Sequence, residues 1–114
     1  MPAKRNPLNL NPLQLKTLTL LQELARIAGK PAAGDSAGGL AITELPDPHG
    51  DHFHLGEAVV AARDATGLHN PSVWAALERK GLIIPQLPQA VVLTPLGQQY
   101  ETGLRDTILH IAGH

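Results

Sequence analysis

The apolar residues between positions 12 and 28 recur at helical spacing and predict one long helix. Asn11 can cap this helix, a proline follows at the first helical position, and Gly29 ends the helix. Leu15 and Leu18 lie off the main apolar face, so the helix is apolar over most of its circumference, as is typical of a helix that packs on two sides. The main face comprises Leu13, Leu20, Leu21, Leu24, Ile27 and Ala28.

The middle of the chain predicts two short strands and a second helix. Residues 40–45 and residues 52–55 have the composition of strands, and the proline- and glycine-rich residues between them predict a turn. Residues 57–65 are predicted to form a helix, because three alanines at helical spacing make a stripe of small residues.

The C-terminal half predicts a helix, a β-hairpin and a final helix. Asn70 caps a helix that covers residues 71–80, and Gly81 ends it. Two β-rich runs on either side of a proline-containing turn predict a hairpin over residues 82–93. Thr94 then caps the last helix. The apolar face of that helix comprises Leu96, Tyr100, Leu104, Thr107 and Ile111.

The composition indicates one small domain of α+β class, mainly helical with a small antiparallel sheet. The 114 residues carry a net charge of −1, 43% hydrophobic residues and no cysteine. These values exclude thiol catalysis, a disulfide scaffold and an obviously cationic nucleic-acid binder. We interpret residues 1–11 as an extended arm and residues 12–114 as the domain. With no secretory signal or membrane-spanning run, we expect a cytoplasmic protein without a membrane partner or a cofactor.

Three landmarks occur in order between about residue 53 and residue 100. The run LERKGLI at residues 77–83 is followed by the predicted hairpin and then by LTPLG at residues 93–97. This order resembles the winged helix-turn-helix superfamily, and MarR-type and PadR-type transcription regulators in particular. The resemblance implies that residues 71–80 are a recognition helix, residues 82–93 are a wing, and the C-terminal helix forms a dimer.

The same resemblance implies that the partner is double-stranded DNA and that the function is transcription regulation. In such regulators the recognition helix enters the major groove and the wing contacts phosphates. The residues expected to contact DNA are Lys4, Arg5, His69, Asn70, Ser72, Arg79 and Gln86.

The predicted DNA-reading surface carries little positive charge. On the outward face of the recognition helix Arg79 is basic, Glu78 would repel phosphate, and the turn of the wing has no Lys or Arg. DNA-binding proteins commonly neutralise roughly six to ten phosphates, and here nine Lys and Arg residues are spread over the whole chain. The alternative hypothesis is therefore a winged-helix module that binds a protein partner and not DNA.

Histidines are concentrated in residues 49–54. His52 and His54 are two residues apart and share one face of a predicted strand, and His49 could fold over from the turn. Three imidazoles with an aspartate would suit Zn²⁺ or Ni²⁺, so a metal-responsive regulator is a third hypothesis. A polar strand face exposed to solvent is the simpler interpretation.

Three leucines are predicted on the outer faces of the terminal helices, where a monomer would expose them as an apolar patch. A homodimer would cover that patch. The leucines are Leu15, Leu18 and Leu109.

Residues 34–39 match the Gly-x-Ser-x-Gly pattern of serine hydrolases. Such a serine needs two β-barrels or a large α/β sheet to hold it against a histidine and an acid, and a chain of 114 residues builds neither. We interpret the run as a flexible loop and expect no enzymatic activity.

Overall fold

The computed structural model describes residues 6–32, 38–46, 48–86 and 90–111, and these residues form an α+β fold, as the sequence predicts. No helix in these ranges is long and apolar enough to cross a bilayer. The helices are α1 (Pro12–Ala28), α2 (Pro71–Arg79), α3 (Pro95–Gln99) and α4 (Arg105–Ile108).

Short strands form two antiparallel sheets. The strands are β1 (Lys30–Pro31), β2 (Leu40–Ile42), β3 (Pro48–His49), β4 (His52–Leu55), β5 (Ala58–Ala61), β6 (Ile83–Gln86), β7 (Ala90–Leu93) and β8 (His110–Ile111). The first sheet has the order β1-β2-β7-β6, and the second has the order β3-β4-β5-β8. The predicted hairpin is present as β6 and β7, in which Ile83 pairs with Leu93 and Gln86 with Ala90.

Helix α1 spans the predicted residues and contacts strands of both sheets as well as α2. It begins with a capping box, in which the Asn11 side chain accepts from the Gln14 N–H at 2.8 Å and the Gln14 side chain accepts from the Asn11 N–H at 3.0 Å. Three of its residues, Leu18, Leu20 and Leu21, are fully buried. The helix therefore forms the centre of the hydrophobic core.

The prediction of a helix over residues 57–65 is wrong, because residues 58–61 form strand β5. Ala58 and Val60 are buried and alternate with half-buried neighbours, which is the period of a strand. Gly56, at a φ of 62°, makes the turn that pairs β5 with β4. Two short 3₁₀ turns, Ala62–Asp64 and Thr66–His69, complete the connection to α2.

The prediction of one continuous C-terminal helix is also wrong. Helix α3 ends before Tyr100, and α4 begins five residues later, after Gly103 at a φ of 74°. Tyr100 turns into the protein, where its hydroxyl accepts from the Leu8 N–H at 3.1 Å and donates to the Asn6 side chain. The break therefore fastens the chain to its N-terminal segment, and the described residues after Thr94 form two short helices in place of one long helix.

The predicted dimer leucines differ in their burial. Leu18 has an exposed fraction of 0% within a single chain, so its placement on an outer helix face is wrong. Leu18 belongs to the hydrophobic core, because other elements pack against α1 on more than one side. Leu15 and Leu109 are half-buried against the same core. The homodimer itself stays a prediction.

Gly97 is required where α3 crosses the start of the hairpin. A Cβ atom at this position would lie 2.2 Å from the Leu82 carbonyl oxygen and 2.7 Å from Leu93 Cδ1. We expect Gly97→Ala to lower the free energy of unfolding by about 2 kcal/mol, because backbone has to move to make room. Urea unfolding measures the change. Gln99→Ala, an exposed position on the same helix, is the control and should change the stability by less than about 0.5 kcal/mol; equal effects of the two changes would contradict this packing.

Candidate functional site

Helix α2 has the first residue, the cap and the outward face that the sequence predicts, and it ends at Arg79, one residue before the predicted end. The Asn70 side-chain oxygen accepts from the Ser72 N–H at 2.9 Å and from the Val73 N–H at 3.4 Å, which caps the helix. One face is buried in the core through Val73, Ala76 and Leu77. The opposite face is exposed and carries Ser72, Ala75, Glu78 and Arg79.

A groove of about 940 Å³ lies between α2 and the hairpin. We call it the α2–hairpin groove. Its other walls are the 3₁₀ turn at Thr66–His69 and the segment after β2 at residues 43–45. Apolar side chains make up more than half of the lining. The lining residues are Thr43, Glu44, Leu45, Leu68, His69, Asn70, Pro71, Trp74, Ala75, Glu78, Pro85, Gln86 and Ala90.

Trp74 forms the inner part of the helical wall. The side chain is half-buried, and its indole N–H donates to the Leu68 carbonyl oxygen at 3.0 Å. This hydrogen bond fixes the ring between α2 and the 3₁₀ turn while one side of the ring lines the groove. Trp74 is the only tryptophan of the chain, so its fluorescence reports on this site.

The charged residues of the α2–hairpin groove are acidic. Glu44 lies in the segment after β2 and Glu78 in α2, and both are exposed; within the described residues no Lys or Arg lines the groove. The groove therefore presents an apolar floor with negative charge at its rim.

Many of the basic side chains are used within the protein. Lys16 pairs with Asp64 at 2.8 Å, and the Lys80 ammonium donates to the Leu8 carbonyl oxygen. Two further cations bind one buried carboxylate: Arg26 and Arg105 both contact Glu23.

The structure brings together part of the predicted DNA-contacting set. His69, Asn70 and Gln86 line the groove, although the Asn70 oxygen is occupied by the helix cap. Ser72 and Arg79 are exposed on α2 outside the lining. The remaining two members, Lys4 and Arg5, lie outside the described residues.

Sequence reasoning missed the contribution of residues 43–45 and Leu68 to this site. The wall at residues 43–45 lies about thirty residues before Trp74 and about forty before Gln86 along the chain. No local pattern relates such segments. Only the pairing of β2 with β7 brings the first of them beside the hairpin.

The histidines of β4 form a second polar cluster. His52 and His54 face each other, with their Nε2 atoms 3.0 Å apart and their rings nearly perpendicular at 74°. The Asp51 carboxylate lies 3.2 Å from His52 Nδ1, and this hydrogen bond lowers the pKa of Asp51. His49 lies in β3 with its backbone paired to His52, and its side chain is outside the described part of the structure. Among the described residues, no group of three or more His, Asp and Glu side chains is arranged to hold a metal ion.

Comparison of this chain with protein-family models, with curated proteins and with solved structures finds no match.

Proposed function

We propose that this chain is a protein-interaction module whose α2–hairpin groove binds an apolar segment of a partner protein that carries Lys or Arg. The observation that carries the proposal is the lining: a half-buried tryptophan and other apolar side chains lie beside Glu44 and Glu78, and no Lys or Arg of the described part of the chain lines the groove. Buried aromatic anchors surrounded by a polar rim are typical of protein interfaces.

Charge complementarity determines the class of segment. The exposed carboxylates Glu44 and Glu78 attract a positive side chain and repel an acidic one, which affects both the association rate and the choice of partner. Trp74 and Leu45 offer an apolar surface for a neighbouring Leu, Pro or aromatic side chain. A mixed apolar and basic peptide satisfies both parts of the groove.

The order of α2, a β-hairpin and α3 supports a winged-helix relationship as part of this proposal. The strand at Ala58–Ala61 argues against the helix-turn-helix part of that resemblance, since a helix-turn-helix unit needs a helix immediately before α2. A winged-helix module used for protein contact requires only the helix and the hairpin that form the groove.

A DNA-binding regulator is the alternative proposal, and it depends on the exposed Ser72 and Arg79 of α2. The acidic rim opposes it, because phosphate contacts contribute most of the affinity for DNA. Lys16, Lys80 and the two arginines on Glu23 are already engaged within the protein.

A peptide selection tests the proposal. The immobilised chain is used to select 12-residue peptides from a random display library, and the enriched peptides are synthesised and titrated against the free chain while Trp74 fluorescence is recorded. We expect enriched peptides to combine apolar residues with Lys or Arg and to change the fluorescence. A double variant, Glu44→Lys with Glu78→Lys, should bind them at least about 10-fold more weakly, because its charges repel the peptide.

The single variant Glu78→Lys is also measured. Its matched control is Glu101→Lys, since Glu101 is exposed and lies outside the lining. It should leave peptide affinity within about 2-fold. Enrichment of acidic peptides, or equal weakening by the two single variants, would refute the groove as the binding site. Tight binding of a random 30-base-pair duplex, with an affinity that falls steeply with salt, would favour the regulator instead.

A further inference from the structure

The β4 histidines are held in place by the sheet. Phe53 and Leu55 alternate with them and are buried, with exposed fractions of 6% and 1%. The strand pairs with β3 on one side and with β5 on the other. His52 and His54 therefore share the opposite face of a backbone that has little freedom to move.

The separation of the two imidazoles matches that of two ligands of one metal ion. At a metal–nitrogen distance of about 2.0–2.1 Å, two ligand nitrogens lie about 2.9 Å apart at a right angle and about 3.3 Å apart at the tetrahedral angle. The observed distance between the Nε2 atoms of His52 and His54, 3.0 Å, falls between these values.

Asp51 orients one of the ligands. Its carboxylate can only accept, so the contact of 3.2 Å assigns the proton of neutral His52 to Nδ1 and turns the lone pair of Nε2 towards His54. Metal-binding histidines commonly donate their second ring N–H to a carboxylate in this way. His54 would present its own lone pair once its proton resides on Nδ1.

We propose that His52 and His54 bind one divalent transition-metal ion through their Nε2 atoms, with Asp51 as a positioning residue. Imidazole nitrogen suits Cu²⁺, Ni²⁺ and Zn²⁺, and among these Cu²⁺ binds a given set of nitrogen ligands most tightly. The site uses two side chains of one strand, and it is independent of the α2–hairpin groove and of the partner proposed for that groove.

Equilibrium dialysis of the untagged full chain against Cu²⁺ and, separately, against Zn²⁺ tests the site. We expect one ion per chain, with Cu²⁺ bound more tightly than Zn²⁺. His52→Ala and His54→Ala should each remove this ion, and Asp51→Asn should weaken binding by about 10-fold. His69→Ala is the control, because His69 is exposed and belongs to a different part of the surface; it should retain the ion.

Far-UV circular dichroism separates loss of the site from loss of the fold. His54 is exposed, so His54→Ala should keep the wild-type spectrum. Absence of Cu²⁺ binding in the wild-type chain would overturn the proposal, as would binding that survives both histidine variants. An Asp51→Asn chain with wild-type affinity would remove Asp51 from the site.

Discussion

Replacing Leu18 by alanine is expected to lower the free energy of unfolding by about 3–4 kcal/mol. Leu18 has an exposed fraction of 0% in the centre of α1, so the change removes buried methyl groups and leaves a cavity that its neighbours only partly fill. Urea unfolding at two protein concentrations, tenfold apart, measures the loss.

The concentration dependence separates a core residue from an interface residue. For a core residue the loss is the same at both concentrations, whereas a residue that stabilises a dimer makes stability depend on concentration. Leu96→Ala is the control, since Leu96 is 48% exposed on α3 and should lose far less. A small, concentration-dependent loss for Leu18→Ala would restore this residue to a subunit interface.

Replacing Arg26 and Arg105 together by alanine is the second change with a large expected effect. Both side chains donate to Glu23, whose side chain is only 5% exposed; Arg26 does so within α1, and Arg105 joins α4 to α1. Without them the Glu23 carboxylate stays buried and unpaired, which should cost about 2–3 kcal/mol at pH 7.

The pH dependence of this loss identifies its cause. The hydrogen bond from Arg26, with that from Arg105, lowers the pKa of Glu23 below its ordinary value of 4.5, although burial opposes the shift. A group with a lowered folded-state pKa stabilises the protein above pH 4.5. This contribution to the free energy of unfolding is lost as the pH falls through the folded-state pKa. In the double variant only burial remains, and burial raises the pKa. The stability difference between wild type and variant should therefore shrink from pH 7 to pH 4.

Urea midpoints at both pH values measure the two differences. Arg63→Ala with Arg79→Ala is the matched control, since both arginines are exposed and the loss of positive charge is the same. This control should change stability little at either pH. A double Arg26 and Arg105 variant that loses equal stability at pH 7 and at pH 4 would show that Glu23 is not the group responsible.

The elements with strong local signals could be predicted from the sequence. Asn11 and Asn70 each precede a proline and each caps a helix, so α1 and α2 begin where the pattern places them. The hairpin is marked by β-branched residues on both sides of its turn. In each case the information lies within a few residues of the element it determines.

The two wrong elements depend on contacts that no local window contains. Residues 58–61 are Ala-Val-Val-Ala, a run that fits a helix or a strand, and pairing with β4 through Leu55 decides for the strand. Tyr100 fits the apolar face of a long helix, but its hydroxyl finds Leu8 and Asn6 more than ninety positions away.

The candidate sites also combine features set by the local sequence with features set by distant contacts. The shared face of His52 and His54 could be predicted, because residues two apart in a strand point the same way. The 3.0 Å between their nitrogens could not, because it depends on side-chain torsions set by Asp51 and by the sheet. The α2–hairpin groove could not be predicted at all, since Glu44 carries no signal that relates it to Trp74.

The anchoring of the N-terminal segment by Tyr100 and Lys80 has a practical consequence for anyone shortening this chain. A version that starts at Asn11 would keep the capping residue of α1 but would lose Leu10, which is 4% exposed in the core. It would also deprive the phenol and the ammonium of the groups they bind. The C-terminal end of α2 would then lose the contact between Lys80 and Leu8. The shortened protein would therefore present an altered binding surface and would not be a minimal version of the domain.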